Sequence, residues 1–224
     1  MSEVLAPAWF IAGTDTEIGK TLAACALLHG LRARHARVVG AKPVAAGTGP
    51  DGANEDVVLL RAASTLAVAP DLDNPYLLAR PASPHLAAAA QGVRIELDRI
   101  DRAVQRLRRD ADAVIVEGVG GLLVPLSDTE DGGDLARRLR LPVILVVGLR
   151  LGCLNHALLT QEAIAARGLH FAGWIGNVME PDMAMLDANI GTLRARMRAP
   201  CLGVIPRLVH ADPVAAARGL TLPD

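Results

Sequence analysis

Residues 13–21 read GTDTEIGKT. A Gly-Lys-Thr triplet that follows an apolar strand and opens a helix is an arrangement that holds phosphate, because backbone N–H groups of the turn and of the helix start surround the anion. In that arrangement Lys20 reaches the outer phosphates and the hydroxyl of Thr21 faces a magnesium ion. The match is not strict. In the spacing GxxxxGK[ST] the first glycine falls on Thr14, and Gly13 stands one place earlier, so the loop is a variant with one residue more. It also carries Asp15 and Glu17, two acids where anionic phosphate is due. A threonine-rich turn with a fortuitous GKT is the competing reading. The apolar WFIAG before it and the helical LAACALLHGL after it favour the phosphate loop.

The lysine count adds a second residue. Of 23 basic residues only Lys20 and Lys42 are lysines, and the other 21 are arginines. A close-packed phosphate site can require a compact ammonium where a solvated surface accepts either cation. Lys42, in GAKPVAAG, therefore stands beside Lys20 as a site candidate, the alternative being an ordinary charge at a strand end. Glu117 ends the apolar AVIVEG just ahead of GVGG, and an acid after a buried strand can hold magnesium in the manner of a Walker B carboxylate. Asp56 has two readings: a third metal ligand, or one of three residues with Asn54 and Glu55 that suit the first turn of a helix.

These residues need elements to hold them together. Short Val- and Ile-rich runs recur as WFIAG, RVVGAKPV, AVIVEG, PVILVVG, AGWIGNV and CLGVIP, a pattern expected of buried parallel strands. Stretches of helical spacing lie between them at 20–36, 96–110, 153–167 and 182–198. Alternation of this kind predicts an α/β fold, a doubly wound, mainly parallel sheet flanked by helices, and ligands in such sheets bind beyond the carboxyl ends of the strands. The 13–21 loop, Lys42, Glu117, Asn177 and Pro206 each follow a predicted strand. Residues 46–55 read as one mobile loop. With no repeat and no Pro-, Gly- or Ser-rich linker, one domain over 1–224 is expected.

Composition narrows the partners. Formal net charge is -1, no block of like charge occurs, and aromatic residues make up 2%, so neither a nucleic-acid surface nor a base-stacking platform is expected. The start MSEVLAPAWFIAG has no positive stretch followed by a cleavable apolar run, and LPVILVVG is too short to span a bilayer. A soluble cytoplasmic protein, without a membrane partner, is the expectation. Three cysteines, Cys25, Cys153 and Cys201, form no CxxC pair and imply neither a disulfide framework nor a zinc site.

A family resemblance covers most of the chain. GTDTEIGKT at 13–21, AKPVAAG at 41–47, Asp56, NPYLLARPASPH at 74–85 and VEGVGGLLVPLSD at 116–128 are similar to the motifs of dethiobiotin synthetase, an ATPase of P-loop fold from the biotin pathway. The resemblance continues through LPVILVVGLRLGCLNHALLT at 141–160, GWIGNV at 173–178 and LGVIP at 202–206, and fades after Pro206. It implies that 7,8-diaminononanoate captures CO2, drawn from bicarbonate, as a carbamate. ATP then phosphorylates the carbamate to a carbamic-phosphoric anhydride, the second amine closes the ring, and ADP and phosphate leave.

The resemblance also assigns roles. Thr21, Asp56 and Glu117 would hold Mg²⁺, and Lys20 and Lys42 would neutralise charge between carbamate and γ-phosphate. Thr16 and the loop residues Gly13, Glu17, Ile18 and Gly19 would grip phosphate and carbamate oxygens, and Asn177 and the main chain at Pro206 would read the adenine edge. Ala46 stands in the substrate segment where the family usually has serine. Ser83 either flanks the substrate amines or caps the next helix. Gly152, Cys153, Leu154 and Asn155 would open a helix whose free N–H groups bind the substrate's distant carboxylate in the neighbouring subunit, which requires a homodimer with composite sites. A plain helix start with Cys153 as a small buried residue is the alternative.

Two further departures are Val119, where EGAGG has alanine, and Arg150, where lysine is common before LGC. For the two loop acids, Glu17 is expected to temper the field of the lysines and Asp15 to bond the loop backbone. A partition-type ATPase, a nucleotide-switched interaction protein, is the alternative function; such proteins usually carry a lysine early in the loop, where this chain has Thr14 and Asp15.

Overall fold

The computed structural model describes residues 5–222. The leading MSEV and the last two residues, part of the expected domain and of the segment read for a targeting signal, lie outside the described residues. In chain order the elements are β1 (Ala8–Gly13), α1 (Lys20–Leu31), β2 (Val38–Ala41), β3 (Val44–Ala46), α2 (Glu55–Ala63), α3 (Pro70–Asp73), β4 (Tyr76–Leu78), α4 (Pro84–Ala90), α5 (Leu97–Asp110), β5 (Ala113–Glu117), α6 (Gly132–Leu139), β6 (Val143–Leu149), α7 (Cys153–Ala166), β7 (Phe171–Val178), α8 (Leu186–Arg196), β8 (Cys201–Ile205) and α9 (Pro213–Ala217).

Six strands form one sheet in the order β2-β5-β1-β6-β7-β8, with all five pairings parallel. Successive side chains of a strand point to opposite faces, and the core divides accordingly. Phe10 and Ala12 of β1 pack with Ile100, Val104 and Leu107 of α5, Leu135 of α6, Ile164 of α7 and Leu193 of α8. Trp9 and Ile11 pack on the other face against Ala24, Leu27 and Leu28 of α1, Leu60 of α2 and Ala216 of α9. Helix α1 is apolar nearly all round because it lies beneath α2 and α9 as well as on the sheet. Helix α5 has one buried row, Leu97, Ile100, Ala103, Val104 and Leu107, and a charged outer face.

The structure departs from the sequence reading at the second apolar run and at the ends of two helices, α1 and α8, the latter spanning Leu186–Arg196 against the expected 182–198. The run RVVGAKPV is not one strand: β2 ends at Ala41, and Val44–Ala46 pairs instead with Tyr76–Leu78 in a separate two-stranded sheet. The break has a cause in Pro43, which has no N–H for a ladder, and in Asp73 and Asn74, which take the backbone of Lys42: its N–H donates to Asp73 O (2.8 Å) and its carbonyl accepts from Asn74 Nδ2 (2.6 Å). Helix α1 ends at Leu31, five residues short of the expected 36, where Arg34 N donates to Leu31 O (2.9 Å) and Arg37 N to Asp112 Oδ2 (2.8 Å), pulling the chain into β2. Residues 46–55, as expected, connect two elements, and within them Gly49 N donates to Ala53 O (2.8 Å) and Asn54 Nδ2 to Gly47 O (2.7 Å).

Candidate active site

The sheet order decides which residues meet. Strands β2, β5 and β1 are neighbours, and their registers set Ala41 beside Val116 and Ile11 beside Glu117. The next residue of β2, Lys42, and the last residue of β5, Glu117, therefore emerge side by side at the carboxyl edge, next to the loop that leaves β1. Lys42 Nζ donates to Glu117 Oε1 at 2.6 Å and to Asp56 Oδ2 at 2.8 Å. Thr21 Oγ1 lies 2.7 Å from Asp56 Oδ1 and 2.9 Å from Glu117 Oε1; its single proton serves one of them at a time. Glu117 Oε2 is buried and has no partner among the described residues.

Asp56 reaches this cluster from the first turn of α2, whose N-cap is Asn54, with the Asn54 side chain accepting from Val57 N. The helix-start reading of Asp56 holds, since a carboxylate near a helix N-terminus is favoured there, and the same carboxylate faces Lys42. Its pKa is held below the usual carboxylate value; burial pulls upward, and the charge and hydrogen bond of Lys42, the Thr21 hydroxyl and Lys20 outweigh it. Lys42, at 5% exposure, has its pKa raised, since Glu117 and Asp56 together overcome the burial that works against its charge. Lys20 goes the other way. Burial and the neighbouring Lys42 bring it down to about 8, against the opposing pull of Glu117, Asp56 and Asp15. Its ammonium donates to Asp15 O at 2.8 Å, a carbonyl of its own loop.

The loop is shaped by its backbone. Gly19, at φ +86°, is the N-cap of α1, and a Cβ there would come within 2.2 Å of Asn177 Nδ2. Only glycine fits. Asn177 closes over the loop from the end of β7, donating from Nδ2 to Ile18 O at 2.9 Å, and the register of β7 with β8 brings Pro206 to the same edge. The amide that sequence reasoning assigned to adenine thus also holds the loop in place. Glu17 sits exposed at φ +57°. Asp15 accepts from Thr16 N at 2.8 Å, the local backbone bond expected of it, and its other oxygen accepts from Arg150 at 2.6 Å. Nothing in the sequence signalled that second bond, which joins residues 135 positions apart.

A cavity of about 1060 Å³ opens over this edge. Thr16, Glu17, Gly19, Lys20 and Thr21 line it from the loop, Lys42 and Ala46 from the β2–β3 segment, and Asp56 and Glu117 from below. Val119 and Gly120 form part of the wall, and Ala211 and Pro213 stand at one end. The thiol of Cys25 also borders it, pushed up to about 12 by burial and by Glu117 and Asp56. Gly13 is buried behind the loop, where a Cβ would meet the Lys20 side chain at 2.8 Å. Ser83 is exposed at the N-cap position of α4, makes no capping bond and lies outside the lining. Gly152, Cys153, Leu154 and Asn155 are also absent from it. They open α7, whose helical bonds start with His156 N donating to Gly152 O, and Cys153 is buried at 2% exposure. A second cavity, of about 620 Å³ between α5 and α6, is edged by paired surface charges such as Arg137 with Asp134 and carries no comparable cluster.

A family model described as an AAA domain matches residues 8–215. ATP-dependent dethiobiotin synthetase BioD of Aromatoleum aromaticum is 57% identical over 219 residues, 96% of this chain and 97% of that protein. The same enzyme of Ralstonia nicotianae is 58% identical, with 93% and 92% of the two chains covered. The chain belongs to the ATP-dependent dethiobiotin synthetase family. Another family member, from Xanthomonas oryzae, is 52% identical over 97% of this chain and 98% of its own. Among solved structures, the MinD cell division protein of Aquifex aeolicus superposes with a TM-score of 0.58 at 14% identity, covering 96% of this chain and 88% of that one. FtsY of Physcomitrella patens gives 0.52 at 16% identity, covering 96% and 66%. At those identities the likeness shows the P-loop fold that this dethiobiotin synthetase family uses, and the fold alone.

Proposed function

We propose that this chain carries out the ATP-dependent ring-closing carboxylation of 7,8-diaminononanoate with CO2 to dethiobiotin, as a single P-loop ATPase-type domain in the cytoplasm. The observation that carries this reading is the convergence of both lysines of the chain on one cavity with Thr21, Asp56 and Glu117. Phosphoryl transfer asks little of a protein beyond positioning and charge neutralisation. Lys20 and Lys42 supply the charge for the carbamate and γ-phosphate oxygens, and Thr16 with the loop amides from Gly13 to Gly19 supplies the cradle. The acids of the same edge favour a substrate whose amines arrive partly as ammonium.

Thr21, Asp56 and Glu117 offer hard oxygen ligands only, and the unpartnered Glu117 Oε2 is an oxygen in want of a cation. Such a set fits Mg²⁺, which takes one or two carboxylates and completes its shell with phosphate and water. When bound, Mg²⁺ supplies charge compensation to the phosphates of ATP. Among the described residues no cluster of three or more His, Cys, Asp or Glu competes for that role. Residues 152–155 lie outside the lining of their own chain's cavity and open α7, where Cys153 N donates to Arg150 O (3.0 Å) and the amides of Leu154 and Asn155 have no intrahelical acceptor, which supports a homodimer in which the neighbouring subunit captures the substrate carboxylate. Among the described residues no helix is long and apolar enough to cross a membrane.

The test is stoichiometric. ADP release should require diaminononanoate and bicarbonate together, with dethiobiotin accumulating one for one by mass spectrometry. ATP turnover that ignores either co-substrate would sink the reading and return the chain to the nucleotide-switched class.

A further inference from the structure

We infer that Lys42 is the resident cation of the metal seat, and that a divalent ion enters only by exchange with its ammonium. This rests on the assignment of Thr21, Asp56 and Glu117 to Mg²⁺. Lys42 Nζ touches one oxygen of each carboxylate in that set, Glu117 Oε1 at 2.6 Å and Asp56 Oδ2 at 2.8 Å. The Thr21 hydroxyl faces the same two residues, at 2.7 and 2.9 Å. All three proposed ligands and the ammonium thus form one cluster, with side-chain exposure of 5% for Lys42, 0% for Glu117 and 38% for Asp56.

Glu117, with its side chain at 0% exposure, and Asp56 beside it, at 38%, bring two negative charges together, and the lysine provides the counter-charge. A divalent cation held by Thr21, Asp56 and Glu117 would sit against the same two carboxylates. An ion on Glu117 Oε1 would meet an ammonium held 2.6 Å from that same oxygen, and two like charges so close repel each other. Glu117 Oε2, buried and unpartnered, offers the incoming ion its first free oxygen. The Lys42 backbone does not have to move, since its N–H is held by Asp73 O and its carbonyl by Asn74 Nδ2. Only the four-carbon stem has to swing, and the displaced ammonium, still charged, has the cavity shared with Lys20 to swing into. The ammonium is thereby released toward the anionic reactants at the moment the metal arrives. Metal and phosphate binding are coupled through one side chain, and the coupling must be reciprocal. Lysine suits the role because its point charge on a flexible stem can leave, where a planar guanidinium held by two carboxylates is fixed in geometry.

The experiment uses the full chain and Mn²⁺ alone, without nucleotide, followed by electron paramagnetic resonance. Lys42→Met keeps the stem and removes the charge. Its Mn²⁺ affinity should rise by about tenfold or more over wild type, a modest fraction of what a close charge contributes at a partly buried site. Adding Glu117→Gln to Lys42→Met should abolish that gain. Equal or weaker Mn²⁺ binding in Lys42→Met, with binding still lost in Glu117→Gln, overturns the exchange and leaves the metal assignment standing. Mn²⁺ binding that Glu117→Gln does not alter overturns both. A second measurement needs no variant at the lysine. The chain has two lysines, so the side-chain ¹⁵N spectrum of the wild type holds two ammonium signals. Saturating Mg²⁺ alone should shift or broaden the Lys42 signal as its carboxylate partners are lost, and an unmoved signal under saturation overturns the proposal.

Discussion

Arginine is the habitual cation of this chain, and the two positions that break the habit are both buried, at 6% exposure for Lys20 and 5% for Lys42. Rarity of a residue type was therefore a usable signal: it pointed to Lys42 before any geometry did. What it could not reveal was the company each lysine keeps: Lys20 bonds the Asp15 carbonyl, a backbone atom that any sequence supplies, and Lys42 bonds Glu117 and Asp56, which only the fold brings together. Lys20→Arg and Lys42→Arg should each lower kcat/KM by roughly 10²-fold or more, the scale of a lost charge-stabilising donor, since a fork cannot occupy a pocket closed around a point charge. Arg150→Lys should stay within about threefold, as its pair with Asp15 is partly solvated and worth little. Near-normal activity in Lys42→Arg would mean that its scarcity is accidental. For the proposed metal ligands, Glu117→Gln should weaken Mg·ATP binding in calorimetry and depress turnover far more than substitution of any one surface arginine, and unchanged turnover would remove Glu117 from the site.

At the level of elements, the sheet was legible because its strands are short apolar runs with helical stretches between them, and β1, β5, β6, β7 and β8 fall where those runs lie. Short pieces set by tertiary contacts were not legible. Strand β4 is three residues, Tyr76–Leu78, whose pairing with β3 depends on the break at Pro43. Helix α6 begins with two glycines, a poor start by propensity, yet DGGD carried a signal that could have found it. Asp131 caps the helix by accepting from Gly133 N (2.8 Å) and Asp134 N (3.0 Å), while Asp134 Oδ2 accepts from Asp131 N (3.1 Å). The other oxygen of Asp131 accepts from Arg167. This reciprocal cap ends the long 118–131 segment whose Gly120 lies against Thr16 of the phosphate loop. Asp131→Ala should cost about 1–2 kcal/mol, the range of a lost N-cap, seen as a lower urea midpoint at unchanged slope. A change below a few tenths of that range would show that the glycines and Arg167 hold the helix start without the cap.

The whole molecule raises the question of how a substrate with a distant carboxylate is held when the helix start proposed to bind it is not part of its own chain's cavity. Leu151, just before Gly152, is 90% exposed and Leu159, two turns along α7, is 61% exposed, so the first half of α7 presents apolar side chains outward. In a twofold dimer each subunit lends the same surface to the other, giving two composite sites. Lys20→Gln disables the phosphate chemistry of the chain that carries it. Asn155→Pro removes an amide from the third position of α7, where it has no intrahelical acceptor, and disturbs capture in the partner's site. Each homodimer should be nearly inactive. In a mixed dimer one site inherits both defects and the other neither, so random equal mixing should restore about a quarter of wild-type sites. Subunit exchange is verified by mass spectrometry of differently labelled chains, and retained folding of Asn155→Pro by circular dichroism. If exchange is complete and activity does not return, the carboxylate is captured within one chain, and residues 152–155 have no part in the neighbouring site.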